Sequence, residues 1–178
     1  MSRSVGVALS VSILAISVVG GDGSPGSRDY ALPEQLCGVA IQQDVFAPLF
    51  PAGSELEIER SFTDFETNFV GRRCVVDVDG EQVIWAKTSG FEPADVIGAE
   101  GLPVSLDDAT AVPGDYRAMV WPGVAIAQAP CEIPEITDSL TVALRVEYPR
   151  DDEESERVLA ELIQPFMAGA LAMVPCGE

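Results

Sequence analysis

Apolar positions recur along this chain with two periods, and the clearest of them is strict alternation. Leu140, Val142, Leu144, Val146 and Tyr148 alternate with polar or small residues, which predicts a strand with one buried face that Pro149 stops. Arg73–Val78 and Glu81–Ala86 flank Asp79-Gly80, a dipeptide that favours a two-residue hairpin turn because both positions tolerate positive φ. With that turn, Val78 faces Glu81, Val76 faces Val83 and Cys74 faces Trp85. One face then carries Cys74, Val76, Val78, Val83 and Trp85, with Trp85 packed beside the cysteine. Glu55–Glu59 alternates acid and aliphatic, the pattern of a half-buried strand with a solvated acidic face. Tyr116–Trp121 and Val124–Ala129 read as two short strands around Pro122-Gly123, or as one strand bent at Pro122.

The period changes after Pro149. Asp151, Asp152, Glu153, Glu154 and Glu156 open a long helix, where carboxylates complement the exposed amide dipoles of a first turn. Its apolar stripe is Val158, Leu159, Leu162, Ile163, Phe166, Met167, Ala170, Leu171 and Val174. Pro165 is expected to kink or split it, and Pro175-Cys176 ends it. Near the other end, Leu32–Cys37 reads as a helical turn with Pro33 at its first position. Ile41–Phe50 reads as a further turn or two of helix, limited by Pro48. From Thr88 to Asp115 the pattern fails amid Gly90, Pro93, Gly98, Gly101, Pro103, Pro113 and Gly114, and the segment reads as a linker.

The expected fold class is therefore α+β. Antiparallel β hairpins form a sheet packed against a long C-terminal helix, in two similar halves, 32–87 and 116–178, joined by the 88–115 linker. The helix comes first in one half and last in the other, and no residue-level repeat relates them.

Cys37, Cys74, Cys131 and Cys176 are widely spaced, with no C-x-x-C and no histidine, which removes thioredoxin-like and zinc-knuckle readings. Two disulfides in three alternative pairings remain, against four buried thiols. Cys37–Cys74 with Cys131–Cys176 is favoured because each bond closes a contiguous half. In the chain-entropy account loops of this size stabilise by about 4 kcal/mol each at the upper end.

Ahead of all this, residues 4–21 form an uncharged, largely apolar run behind Arg3. That run fits a signal peptide cleaved before Asp22, or an uncleaved transmembrane helix at the short limit of a span. Residues 22–31 would follow as a flexible tether. Either fate makes the acidic remainder extracytoplasmic, secreted or anchored in the cell membrane by residues 4–21. Asp22 stands where lipidation would need a cysteine.

Composition narrows the chemistry. The chain has 178 residues, 29 acids against 10 bases, a formal charge of −19 and no histidine. A basic face for nucleic acid is excluded, as is docking of the domain on an anionic membrane surface. The lack of histidine removes the usual catalytic triad and most zinc sites. With 47% hydrophobic residues, disorder does not explain the acidity. No nucleophile elbow, P-loop, dinucleotide fingerprint or S-x-x-K arrangement is present. Asp77–Glu81 lacks the later ligands of a calcium loop, and Asp107-Asp108 with Glu100 reads better as a solvated loop than as a cation site. Glu153, Glu154, Glu156 and Glu161 could supply paired carboxylates for a hydrolase, though 29 acids create such pairs by chance.

Leu36-Cys37-Gly38-Val39, the segment Val45/Leu49/Phe50/Pro51 and Arg73-Cys74-Val75-Val76 are joined by Ala129-Pro130-Cys131, an alanine-rich helix and Cys176. Together they resemble a group of small exported actinobacterial envelope proteins, many of them lipoprotein-like, whose activity is uncharacterised. The resemblance implies paired disulfides and an envelope address, and transfers no active site. The expected function is a non-catalytic module that binds a ligand or an envelope protein. No cofactor, metal or catalytic residue is assigned. The alternatives are a carboxylate-dependent hydrolase acting on envelope polymer and a structural spacer.

Overall fold

The computed structural model describes residues 27–63 and 70–177. The expected signal or anchor at 1–21 and the first part of the tether lie outside the described residues. Seven antiparallel strands form one sheet in the order β1-β2-β3-β7-β6-β5-β4. They are β1 (Leu56–Arg60), β2 (Arg73–Val78), β3 (Glu81–Ser89), β4 (Thr110–Val112), β5 (Arg117–Trp121), β6 (Val124–Ile133) and β7 (Thr137–Val146). Among the described residues three α-helices accompany them: α1 (Gln43–Phe46), α2 (Pro93–Glu100) and α3 (Asp152–Leu171).

The stapled halves are not separate units. β3 of the first half pairs along its length with β7 of the second, Ile84↔Val146 through Ser89↔Thr141, so a single sheet crosses the boundary. They are also unlike: the first contributes three strands, the second three strands and the 20-residue α3. A half-sheet whose central edge is apolar gains more by pairing that edge than by leaving its backbone groups in water.

One face of the sheet carries the main core. Cys74, Val76, Val78, Ile84 and Ala86 from β2 and β3, with Leu140, Val142, Leu144 and Val146 from β7, pack with Val158, Leu159, Leu162, Ile163, Phe166 and Met167 of α3. The predicted alternation and helical stripe meet here, which is why both are so regular. Asp151 caps α3, its carboxylate accepting from the Glu154 amide at 2.9 Å. Pro165 does not split the helix, which runs unbroken; the position faces solvent, where the carbonyl left without a donor can reach water. Gly169 is where α3 approaches Val39, and a β-carbon there would meet the valine side chain.

Both favoured disulfides are present, Cys37–Cys74 and Cys131–Cys176, with Cα–Cα distances of 5.6 and 4.8 Å. They staple the N-terminal segment and the chain after α3 to the same sheet face. Cys37 sits in a tight turn rather than the expected helix: Leu36 and Val39 exchange backbone hydrogen bonds around Cys37 and Gly38, at φ 57° and 84°. Pro33 fits a first helical turn equally well, so local propensity cannot separate the two. The described part of the tether is docked too. Arg28 donates to the carbonyls of Phe50 (2.9 Å) and Ala47 (2.8 Å), the Asp29 amide donates to the Gly53 carbonyl, and the Tyr30 hydroxyl to that of Pro51.

The opposite face holds two corrections. The predicted hairpin forms, but its register shifts between Val76 and Asp77: Val78 opposes Glu81 and Asp77 opposes Gln82, whereas Val76 opposes Ile84 and Val75 opposes Trp85. The extra residue is Val83, and it is buried with Ile84 in the main core. Every β3 side chain beyond the bulge is thereby inverted from the simple hairpin count. Trp85 does not pack beside the disulfide; it lies on the far face with Val75, Trp121, Val124, Ile126 and Ala143. The 88–115 segment is not a linker. It forms α2, a 3-10 turn at Leu106–Asp108 and β4, and it lays Val96 and Leu102 over those residues. Gly101, at φ 62°, stops α2 in the left-handed conformation that glycine adopts without strain. The Trp121 indole donates to the Ser105 carbonyl at 2.8 Å and ties the segment down.

Candidate functional site

On the α2 face, side chains alternate with those of the main core, and this face gathers a group of the chain's cations. Strand pairing places Arg73 beside Lys87, Arg60 beside Val75, and Arg145 beside Trp85. Four of the chain's 10 bases thus surround one tryptophan on four adjoining strands of an otherwise acidic protein.

Their engagement differs. Lys87 is ion-paired with Glu100 at the end of α2. Arg145 donates through Nε and Nη2 to Glu147 Oε1, at 3.3 and 3.0 Å. Among the described residues Arg60 and Arg73 have no ion pair and no side-chain hydrogen bond, and Gln82 has none.

Trp85 is 7% exposed, and among the described residues its indole N–H has no partner. Among the described residues no fully buried polar side-chain atom lacks a hydrogen bond, so this N–H reaches solvent. Trp121, by contrast, spends its N–H on Ser105.

Three depressions meet at Gln82. One of about 360 Å³ is lined by Arg73, Gln82, Trp85, Glu100, Leu102 and Arg145. A second, about 220 Å³, lies along β1 and β2 with Glu59, Arg60, Arg73 and Asp77. The third, about 620 Å³, is a wider cleft at the end of the sheet between the β2–β3 turn, Pro122 and the cis Tyr148–Pro149 bond. There Ser155 accepts from the Gly123 amide and donates to the Asp152 carbonyl, which leaves its hydroxyl committed.

The hairpin that positions the first two depressions is anchored from outside. The Asp79 carboxylate accepts from the Ser54 amide and hydroxyl and from the Glu55 amide, at 2.9 to 3.2 Å, aligning β1 with β2. Those bonds to the Ser54 and Glu55 amides hold the Asp79 carboxyl below the usual aspartate range. Asp77 moves the other way: burial, with the negative charge of Glu59 nearby, raises it.

Protein-family models, curated proteins and solved structures were all compared with the chain. None matches.

The four cysteines, predicted as disulfides, are all in disulfides, so none is a nucleophile. Glu153 and Glu154 are exposed in the first turn of α3, and Glu161 pairs with Arg157 at 2.7 Å. None of these lines any of the three depressions that meet at Gln82. Asp107 and Asp108 sit in the 3-10 turn after Ser105, and Glu100 is held by Lys87. Among the described residues no three metal-ligating side chains gather. Glu59 and Asp77 share the second depression, and Glu81, Glu147 and Asp152 share the third. Sequence reading missed Glu59 and Asp77, together with Arg73, Gln82 and Arg145. No sequence signal pointed to them, because the unbulged hairpin count sets Arg73 opposite Ala86 and only the bulge brings it opposite Lys87.

Proposed function

We propose that the chain is an extracytoplasmic, non-catalytic binding module of the cell envelope, taking its ligand on the α2 face around Gln82. The observation that carries this reading is the convergence of unpartnered donors from Arg73, Gln82 and Trp85 in one depression of ligand size. Two disulfides fit an oxidising, extracytoplasmic compartment. Among the described residues no helix is long and apolar enough to cross a membrane; the uncharged run at 4–21 is the segment that fits a signal or an anchor. Resemblance to exported actinobacterial envelope proteins supports the same address.

Intact mass of protein recovered from the producing cells tests the address: loss of about the first 21 residues marks secretion, and their retention marks an anchor. For the binding reading, a panel of envelope-derived small molecules is screened by melting temperature and amide shifts. A panel that moves neither leaves the chain as a structural spacer.

A second reading rests on Asp77. A carboxyl raised by burial beside Glu59, in a depression, is the arrangement of an acid–base pair, which keeps a carboxylate-dependent hydrolase in play. Turnover of an envelope polymer that disappears in Asp77→Asn would establish this reading and overturn the binding module. Turnover lost instead in Glu153→Gln or Glu154→Gln would move the active site to the start of α3.

A further inference from the structure

The depression under Trp85 offers donors and little else. Of its charged lining residues, Glu100 is neutralised by Lys87 and Arg145 is largely satisfied by Glu147. Arg73 alone brings an uncompensated charge. Trp85, whose indole N–H reaches solvent, and Gln82 line the same space, and Leu102 adds an apolar wall. A guanidinium offers a planar fork that matches the two oxygens of a carboxylate. A volume near 360 Å³ suits a compact ligand rather than a polymer.

Whole-molecule charge sharpens the class. At −19 the protein repels anions at a distance, and the penalty grows with the ligand's own charge. One uncompensated cation can offset one negative charge and not two.

We infer that this depression binds a small soluble molecule bearing a single carboxylate, held by Arg73 and the Trp85 indole N–H, with its body against Leu102. The inference rests on the binding-module reading above and names the ligand class for it.

The two tryptophans provide the test. A ¹⁵N spectrum of the full disulfide-bonded chain contains one indole signal from Trp85 and one from Trp121, assigned through Trp121→Phe. Glucuronate, acetate, glucose and inorganic phosphate are titrated in turn. The Trp85 signal is expected to move saturably with the two carboxylates and not with glucose, while Trp121, bonded to Ser105, stays in place. Arg73→Gln, at an exposed position, should weaken glucuronate by about tenfold or more.

Several outcomes overturn the inference. Phosphate as tight as glucuronate would make this a general oxyanion site. Glucose moving Trp85 equally would remove the role of charge, and full affinity in Arg73→Gln would remove the role of that residue. If neither carboxylate moves Trp85 while other panel compounds shift amides around Gln82, the inference fails and the binding module stands. If no compound shifts any signal, both fail.

Discussion

The two faces of the sheet solve different problems with the same strands. The α3 face is largely apolar: alternate residues along β2, β3 and β7 are buried against a 20-residue helix, and both disulfides close over it. The α2 face has only eight helical residues and a small apolar cluster, and toward β1 and β2 it gives way to charge. A face that large and dry supplies stability, and its partner is thereby free to carry polar side chains whose hydrogen-bonding groups are not used up by the fold. Function is best sought on the face that the core does not need.

Stability measurements put that contrast at risk. Phe166→Ala, at the centre of the α3 face and in edge contact with Phe62, should lower unfolding free energy in urea by about 3–5 kcal/mol. Removing either disulfide by paired alanine substitution should cost about 2–4 kcal/mol on the same scale. Leu102→Ala on the other face should cost about 2 kcal/mol or less, because the site lies at the edge of the small cluster and can partly collapse. A loss at Leu102 equal to that at Phe166 would abolish the distinction between the faces. Hydrogen exchange should agree, with α2 amides opening before those of α3.

Gly169→Ala probes the same contrast from the helix side. Helix propensity alone favours alanine by about 1 kcal/mol, yet the new methyl meets Val39, so the variant should be less stable than the parent. The smallest effects belong to the hairpin carboxyls. Asp79 is held low, so its contribution is present above the ordinary aspartate range at about pH 4 and is lost as pH falls through its lower folded value. Asp79→Asn should flatten that acid limb. Asp77 is raised, so folding loses stability as pH rises through its elevated value, and Asp77→Asn should remove that slope of opposite sign. Thermal melts across the acid range read both.

Much of the α3 face is legible in the periodicity of the chain. The alternation of Leu140 to Val146, the stripe from Val158 to Ala170 and the acids ahead of it are local patterns, and packing agrees with each. The α2 face is not legible in this way. Its helix buries only Pro93 and Val96, too few for a periodic signal, among glycines and prolines that usually mark loops. None of the candidate site's residues stands in a motif, because Arg73, Gln82, Trp85 and Arg145 meet only through strand pairing.

Local sequence dictates the strands on either side of Asp79-Gly80, the long capped helix and the class of the fold, since these follow from periods and turn residues within a few positions of each other; it leaves Pro122-Gly123 open between a turn and a bend. It narrows the cysteines to two bonds and favours the observed pairing. Tertiary packing made the rest: the halves share one sheet, 88–115 closes its second face, and Trp85 looks away from the disulfide. The bulge at Val83 gives the physical reason. A side chain's face depends on the parity of the pairing, and one extra residue, buried because the core has room for both Val83 and Ile84, reverses everything beyond it.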